Sequence, residues 1–403
     1  MHVFFTSIGA AGHINPTLPL VRELVGRGHR VSYATDERLR FAIESVGAAL
    51  VPLPELALPV VNSASHPGDW GTVMRHMMET LIRYQSQIIG DGIIDDYVEL
   101  QRPDAVCYDN TLTIPGRRAA DRVGVPAIAL HPTYAANENF SFQSMAESGA
   151  GNAPGETGNL FQQMREVGLE LADEMGGQAI NLFEGPPAPL NIVFIPREFQ
   201  PAADTFDERF HFVGPSLGAR NDDGTWTPPG GGPLLFISLG TSPFNRNTEF
   251  YQMCIDAFGD GKWRVALAIG TQVDPAELGS APPNVEIRPH FPQLDVLRNA
   301  DIFLSHTGMN STMESLYHGV PIVAVPQQPE QVANARQIEQ LGLGRHLTGR
   351  LSPDLIRQAV EDVHADPAVA GNVTDMSRVL QKSGGARAAA DAIESHLGAR
   401  LNP

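Results

Sequence analysis

Twice along this chain, short apolar runs alternate with helix-patterned segments, and a stretch of turn-forming residues, 218–233, separates the two series. The first series has apolar runs at 3–6, 31–34, 105–108 and 127–130, with a helical pattern at 18–25 after the first run. The second has them at 234–238, 265–269, 285–288, 302–304 and 322–325. Such alternation fits a parallel sheet wrapped by helices, so the chain is read as α/β with two similar halves. Gly28 closes the first helix and Gly124-Val-Pro126 introduces a later strand, the usual punctuation. The expected organisation is one domain over 1–217, a linker over 218–233, a second domain over 234–380 and a helical tail over 381–403. Ligands in such folds sit at the carboxyl ends of the strands.

The length agrees: 403 residues suit two domains of about 200 residues each. A formal charge of -18 repels polyanions, which argues against nucleic acid and anionic membrane surfaces as partners. The N-terminus lacks a basic lead and a small-residue cleavage site, and no apolar stretch approaches the roughly 20 residues a membrane span needs, so a cytoplasmic protein is expected. Cys107 and Cys254, far apart within apolar segments, read as buried thiols of a reducing compartment rather than a disulfide. No Gly-x-Gly-x-x-Gly follows the first strand, which disfavours a dehydrogenase. No Asp-x-Asp and no His/Cys cluster has metal spacing, so chemistry without a metal is expected.

Residues 290–331 carry the densest chemistry. An apolar strand at 302–304 leads into His306, and then Gly308, Asn310 and Ser311 open a helix that carries Glu314. A helix start of this kind aims backbone N–H groups and the positive end of its dipole at whatever lies in front, and a diphosphate suits that position. Asn310 and Ser311 are expected to cap the helix while their amides face phosphate. Glu314, one turn beyond Asn310 on the same face, can reach ribose hydroxyls; the plainer alternative is an exposed helical glutamate. His306 is either a satisfied core histidine or a donor to a diphosphate oxygen. Ser238-Leu-Gly-Thr-Ser242, after another strand, is either a tight turn or a second phosphate contact through Thr241.

In the first half, His13 follows the first strand in a Gly-His-Ile-Asn-Pro segment, where a doubly wound fold exposes functional groups. An imidazole there is either merely solvated or suited to taking a proton from a hydroxyl. Asp109 ends another strand of the same half, and by itself reads as a cap for the segment that follows.

These segments, in this order, resemble the family 1 glycosyltransferases, whose plant members end the donor signature in an acidic residue followed by Gln, here Glu330-Gln331. The likeness extends over nearly the whole chain, including Leu190-Asn-Ile-Val-Phe-Ile-Pro196 and Phe206-Asp-Glu-Arg-Phe-His-Phe-Val-Gly-Pro215, and is greatest to soluble bacterial enzymes that glycosylate macrolides and flavonoids. The resemblance implies two Rossmann-like domains facing across a cleft, the GT-B architecture, with the last helix crossing back to the N-terminal domain. It implies an inverting transfer of glucose from UDP-glucose to a small-molecule hydroxyl, with His13 as base and Asp109 as its partner. It places His290 on the base, where many relatives have Trp, Phe291 against the base edge, and Glu330 and Gln331 on the transferred hexose. Variable loops at 54–78 and 133–142 would form the acceptor pocket, with Trp70, Met74, Met77, Tyr134, Phe140 and Phe142 as candidates that could equally be core. The rival readings are a sugar-nucleotide epimerase and a non-enzymatic nucleotide-sugar-binding protein.

Overall fold

The structure, a computed structural model, describes residues 1–57, 70–141, 186–218, 226–228, 230–240 and 247–401. The expected flap around 140–178 falls mostly outside them, as do Phe142, Thr241 and the side chains of Trp70 and Met74.

The described residues form two compact units, one of those up to 218 together with those from 383 on, and one of those from 226 to 382. The first holds a seven-stranded sheet of β1 (His2–Thr6), β2 (Arg30–Asp36), β3 (Ala49–Leu53), β4 (Ala105–Asp109), β5 (Ala127–His131), β6 (Leu190–Val193) and β7 (Phe210–Phe212). Their spatial order is β3-β2-β1-β4-β5-β6-β7, and every pairing is parallel. The second holds β8 (Leu234–Ser238), β9 (Arg264–Ala268), β10 (Val285–Arg288), β11 (Ile302–Ser305), β12 (Ile322–Ala324) and β13 (Gly344–His346) in the order β10-β9-β8-β11-β12-β13, again all parallel. Each unit is a Rossmann-like, doubly wound sheet, and each reverses its strand order once: between β1 and β4, and between β8 and β11.

The strands read as continuous apolar runs because both faces are covered. On the first sheet, Val3, Phe5, Val31, Tyr33 and Cys107 enter one core, while Phe4, Ala34 and Val106, alternating with them, enter the other. Each fully buried Val, Ile or Phe of this kind stabilises the fold by about 1.5–3 kcal/mol. Cys107 and Cys254 are both buried and unbridged, and burial raises both thiols well above their ordinary range. Neither is poised as a nucleophile.

One local feature differs from the expected organisation. Trp226, read as linker, is buried in the second unit's core with Leu234, Phe236 and Phe303; its indole donates to Glu286 Oε2 at 3.2 Å. A single aromatic residue in a Gly/Pro string is enough to pin that string to a core. The tail is three helices, Pro353–Ala365, Pro367–Lys382 and Gly385–Leu401. The last belongs to the first unit, where Ala389, Ala390, Ile393 and Leu397 join the core under Leu20 and Leu24. Arg27 fastens it from outside, through ion pairs at 2.6 Å to both Asp391 and Glu394. Among the described residues no helix is long and apolar enough to cross a membrane.

Candidate active site

Both strand-order reversals carry polar residues at their carboxyl ends, where a doubly wound sheet leaves a crevice. In the first unit, β1 and β4 run side by side with Thr6 opposite Tyr108. The chain leaves β1 into a one-turn helix, Ala11–Ile14, and His13 lies in that turn. Asp109 is the last residue of β4 and is only 1% exposed, against 22% for the His13 side chain. His13 Nδ1 lies 2.7 Å from Asp109 Oδ2.

Asp109 divides its oxygens between two tasks. Oδ2 takes His13 and the hydroxyl of Ser7 at 3.2 Å, while Oδ1 accepts the Thr111 amide at 2.8 Å and the Thr111 hydroxyl. One oxygen thus caps the segment that follows and the other meets His13. Burial alone would push this carboxyl up, but His13 and the Thr111 hydrogen bonds outweigh it and hold it below the usual range. An ionised Asp109 places the imidazole proton on Nδ1 and the basic lone pair on Nε2.

In the second unit, β8 and β11 are neighbours and Ser238 lies opposite Ser305. Each serine hydroxyl accepts the amide two residues on, Gly240 at 3.2 Å and Thr307 at 3.1 Å, so the two strand ends turn in the same way. His306 sits between those turns. A Cβ on Gly240 would lie 2.6 Å from its Cε1 and Nε2, and one on Gly308 would lie 2.6 Å from Nε2. The ring is buried, its Nδ1 has no hydrogen-bond partner, and burial holds its pKa down to about 4 against the opposing pull of the Ser238 backbone. It is therefore neutral at pH 7, and an anionic neighbour would favour its protonated form. Thr307 follows with φ +63, a strained value for a residue with a Cβ, held by bonds from its hydroxyl to the carbonyls of His306 and Gln331.

The helix after this turn, Met309–Tyr317, starts at Gly308 with no side-chain cap. This corrects the expectation that Asn310 and Ser311 cap it: both lie inside the first turn, and the Ser311 hydroxyl instead accepts from Gln293 Nε2 at 3.1 Å. An uncapped start leaves the anion-binding character of the first turn undiluted. Glu314 is not an exposed helical glutamate, being 1% exposed, and its Oε2 accepts from Gln293 Nε2 at 2.6 Å. Gln293 was not singled out from the sequence, although the donor signature contains it.

His290 is exposed, in the loop after β10, and Phe291 packs edge-on against Trp226 and Phe236 with the Arg288 guanidinium 5.1 Å above its ring. Among the described residues, the main-chain N–H and C=O of Phe291 make no backbone hydrogen bond. Glu330 and Gln331 open the helix Pro329–Gln340. Gln331 Oε1 accepts the Gln327 amide at 2.8 Å, which orients its side chain, and Glu330 Oε1 accepts from Asn334 Nδ2 at 3.1 Å. Among the acceptor candidates, Met77 is half-buried on the helix Trp70–Asp91. Tyr134 and Phe140 are 6% and 5% exposed, in an aromatic cluster with Phe199 and Phe206, so the core alternative describes them better. Among the described residues no group of three His, Cys, Asp or Glu side chains could hold a metal ion.

Two doubly wound units, with a histidine–aspartate pair in one and an uncapped, phosphate-suited helix start in the other, define the class of two-domain enzymes that use nucleotide-linked substrates. Comparison with known proteins specifies the family. Residues 253–382 match the model of the erythromycin biosynthesis protein CIII-like C-terminal domain. The chain is 39% identical to the NDP-glycosyltransferase YjiC of Bacillus licheniformis, over 98% of both chains. It is 35% identical to the oleandomycin glycosyltransferase of Streptomyces antibioticus, over 99% of this chain and 91% of that one. The crystal structure of the calicheamicin glycosyltransferase CalG4 superposes with a TM-score of 0.80 at 35% identity, covering 100% of this chain and 99% of the other. The chain belongs to the family 1 glycosyltransferases of GT-B fold, and it is a glycosyltransferase of the macrolide and NDP-sugar type.

Proposed function

We propose that this glycosyltransferase inverts at the anomeric carbon, moving glucose from UDP-glucose to a hydroxyl of a small aglycone such as a macrolide, a flavonoid or another polyphenol. The observation that carries the reading is the His13–Asp109 pair, 2.7 Å from Nδ1 to Oδ2, with the carboxylate buried and the imidazole partly exposed. With the proton held on Nδ1, Nε2 of His13 takes the proton of the acceptor hydroxyl. The acceptor oxygen then bonds to the anomeric carbon as the bond from that carbon to the diphosphate breaks, and UDP departs with the electron pair. Asp109 stabilises the imidazolium that results.

The second unit supplies the donor site. The start of the helix Met309–Tyr317 and His306 take the diphosphate, where developing negative charge is met by amide dipoles and by an imidazole that the anion itself helps to protonate. Thr241 would add a further phosphate contact. Glu314, held by Gln293, takes the ribose hydroxyls; the exposed ring of His290 covers the uracil, and the main chain of Phe291 meets the base edge. Glu330 and Gln331 take hexose hydroxyls, which favours a fully hydroxylated sugar over a deoxysugar. The leaving diphosphate needs no metal on this account. The protein acts on dissolved small molecules in the cytoplasm, with Met77 as one wall of the acceptor site.

Incubation with UDP-glucose and a phenolic acceptor, followed by mass spectrometry, tests the reading. A glucosylated acceptor with release of UDP is expected. Conversion of UDP-glucose to an isomeric sugar nucleotide without an acceptor would replace it with epimerase chemistry, and binding without turnover would leave only a nucleotide-sugar-binding protein.

A further inference from the structure

Asn334 lies one turn beyond Glu330 on the helix Pro329–Gln340, and it is completely buried. Its Nδ2 donates twice, to the Thr307 carbonyl at 2.9 Å and to Glu330 Oε1 at 3.1 Å, while its Oδ1 is buried without a partner. One amide nitrogen thus joins the turn that carries His306 to the acidic residue at the start of the next helix. A second bond runs alongside, from the Thr307 hydroxyl to the Gln331 carbonyl at 2.9 Å. Thr307 holds a left-handed φ of +63, a conformation that persists only where neighbours enforce it. An asparagine with an orphaned oxygen at a fully buried position is an unfavourable choice for packing alone, since a leucine fills similar space with no unsatisfied polar atom.

We infer that Asn334 is a positioning residue for donor selection: it fixes the Glu330 carboxylate relative to the His306–Thr307–Gly308 turn, so that hexose recognition and diphosphate binding share one rigid unit. Being fully buried, it does not touch the donor itself; it acts through Glu330 and Thr307. This rests on the reading above that Glu330 contacts the hexose. A carboxylate held less firmly would still accept a hydroxyl but would discriminate less between sugars that differ at one hydroxyl, because discrimination needs the wrong sugar to leave a fixed group unpaired.

The test compares kcat/KM for UDP-glucose and UDP-galactose, and UDP affinity by calorimetry, in Asn334→Leu, Asn334→Ala, Glu330→Ala and the double variant Asn334→Leu/Glu330→Ala. Melting curves identify the folded proteins, and the leucine variant preserves volume where the alanine variant would leave a cavity. The expected result is a loss of sugar preference of about tenfold in both Asn334→Leu and Glu330→Ala, with no further loss in the double variant, as for residues that act as one unit. UDP affinity should fall in the Asn334 variants and not in Glu330→Ala. Unchanged sugar preference in Glu330→Ala would remove the hexose role of Glu330 and this inference with it. A shifted preference in Glu330→Ala with an unchanged one in the Asn334 variants, or additive losses in the double variant, would overturn the role of Asn334 and leave that of Glu330 standing.

Discussion

The imidazole of His306 occupies the space that a side chain at Gly308 would need, since a Cβ there would lie 2.6 Å from Nε2. Gly308→Ala should therefore displace the ring, destabilising the protein by about 1–3 kcal/mol in urea unfolding and weakening UDP binding. Removing the obstacle should restore stability: Gly308→Ala/His306→Ala should unfold near the midpoint of His306→Ala alone. Gly240 differs, because its φ of +75 adds strain of about 1–2 kcal/mol for any residue with a Cβ. Gly240→Ala/His306→Ala should stay destabilised. Equal recovery in both double variants would show that crowding against His306 is the whole effect at Gly240.

Ribose and hexose contacts should separate by mutation. Glu314→Ala should weaken UDP and UDP-glucose alike, by about 1–3 kcal/mol for a lost charged hydrogen bond. Gln293→Ala should follow it more mildly, since its Nε2 holds Glu314 Oε2 at 2.6 Å. Gln331→Ala should spare UDP affinity but reduce glucose transfer and blur preference among hexoses. Calorimetry of UDP binding, with competition between UDP-glucose and a dTDP-deoxysugar, decides this. Wild-type preference for the deoxysugar would contradict glucose as donor.

Excess chelator should leave transfer intact if, as proposed, amides at the start of Met309–Tyr317 and the His306 imidazole meet the charge of the leaving diphosphate. Rates with EDTA, then with added Mg²⁺, check it. Complete loss restored by Mg²⁺ would count against the account. Slight stimulation would not, since the ion also removes free UDP.

Stability should fall as the solution is acidified from neutrality. His131 and His306 are both held down from 6.5 to about 4 by burial. Between those values the unfolded chain binds protons that the native protein does not. Each histidine therefore contributes a slope of about 1.4 kcal/mol per pH unit, and loses on the order of 3 kcal/mol by pH 4. Asp109, held low, adds its loss at still lower pH, as acid titrates its native carboxylate. Urea unfolding of His131→Gln between pH 7 and 4.5 should show a shallower dependence than wild type. An unchanged slope would mean that His131 is protonated in the native state.

The sequence made the sheets legible because strands covered on both faces are written as unbroken apolar runs: the run at 234–238 coincides with β8. Several runs stopped one residue short. Asp109, His131 and Ser305 still pair in their ladders although they are polar, and these carboxyl ends are where the site is built. The edge strand β13, Gly-Arg-His, carries no apolar signal, since it is only partly buried. At the site, residue types could suggest His13, Asp109, His306 and Glu314. What the sequence could not give was mutual support: the glycine cradle of His306, the bridging Gln293 and the double donor Asn334 are visible only when distant segments meet. Asn310 and Ser311 do not cap the helix because the turn at Thr307 sets its start at Gly308, a position held by tertiary bonds to Gln331 and Asn334.

The central claim is that His13, paired with Asp109, removes the acceptor proton, and transfer by His13→Ala measures it most directly. With UDP-glucose and a phenolic or alcohol acceptor, His13→Ala should lose transfer by at least about 10²-fold while UDP affinity stays within about twofold of wild type. Asp109→Asn should lose less. An acidic thiol acceptor, which needs little deprotonation, should retain turnover in His13→Ala. Wild-type rates of hydroxyl glucosylation in His13→Ala, with the protein folded and binding UDP, would contradict the account.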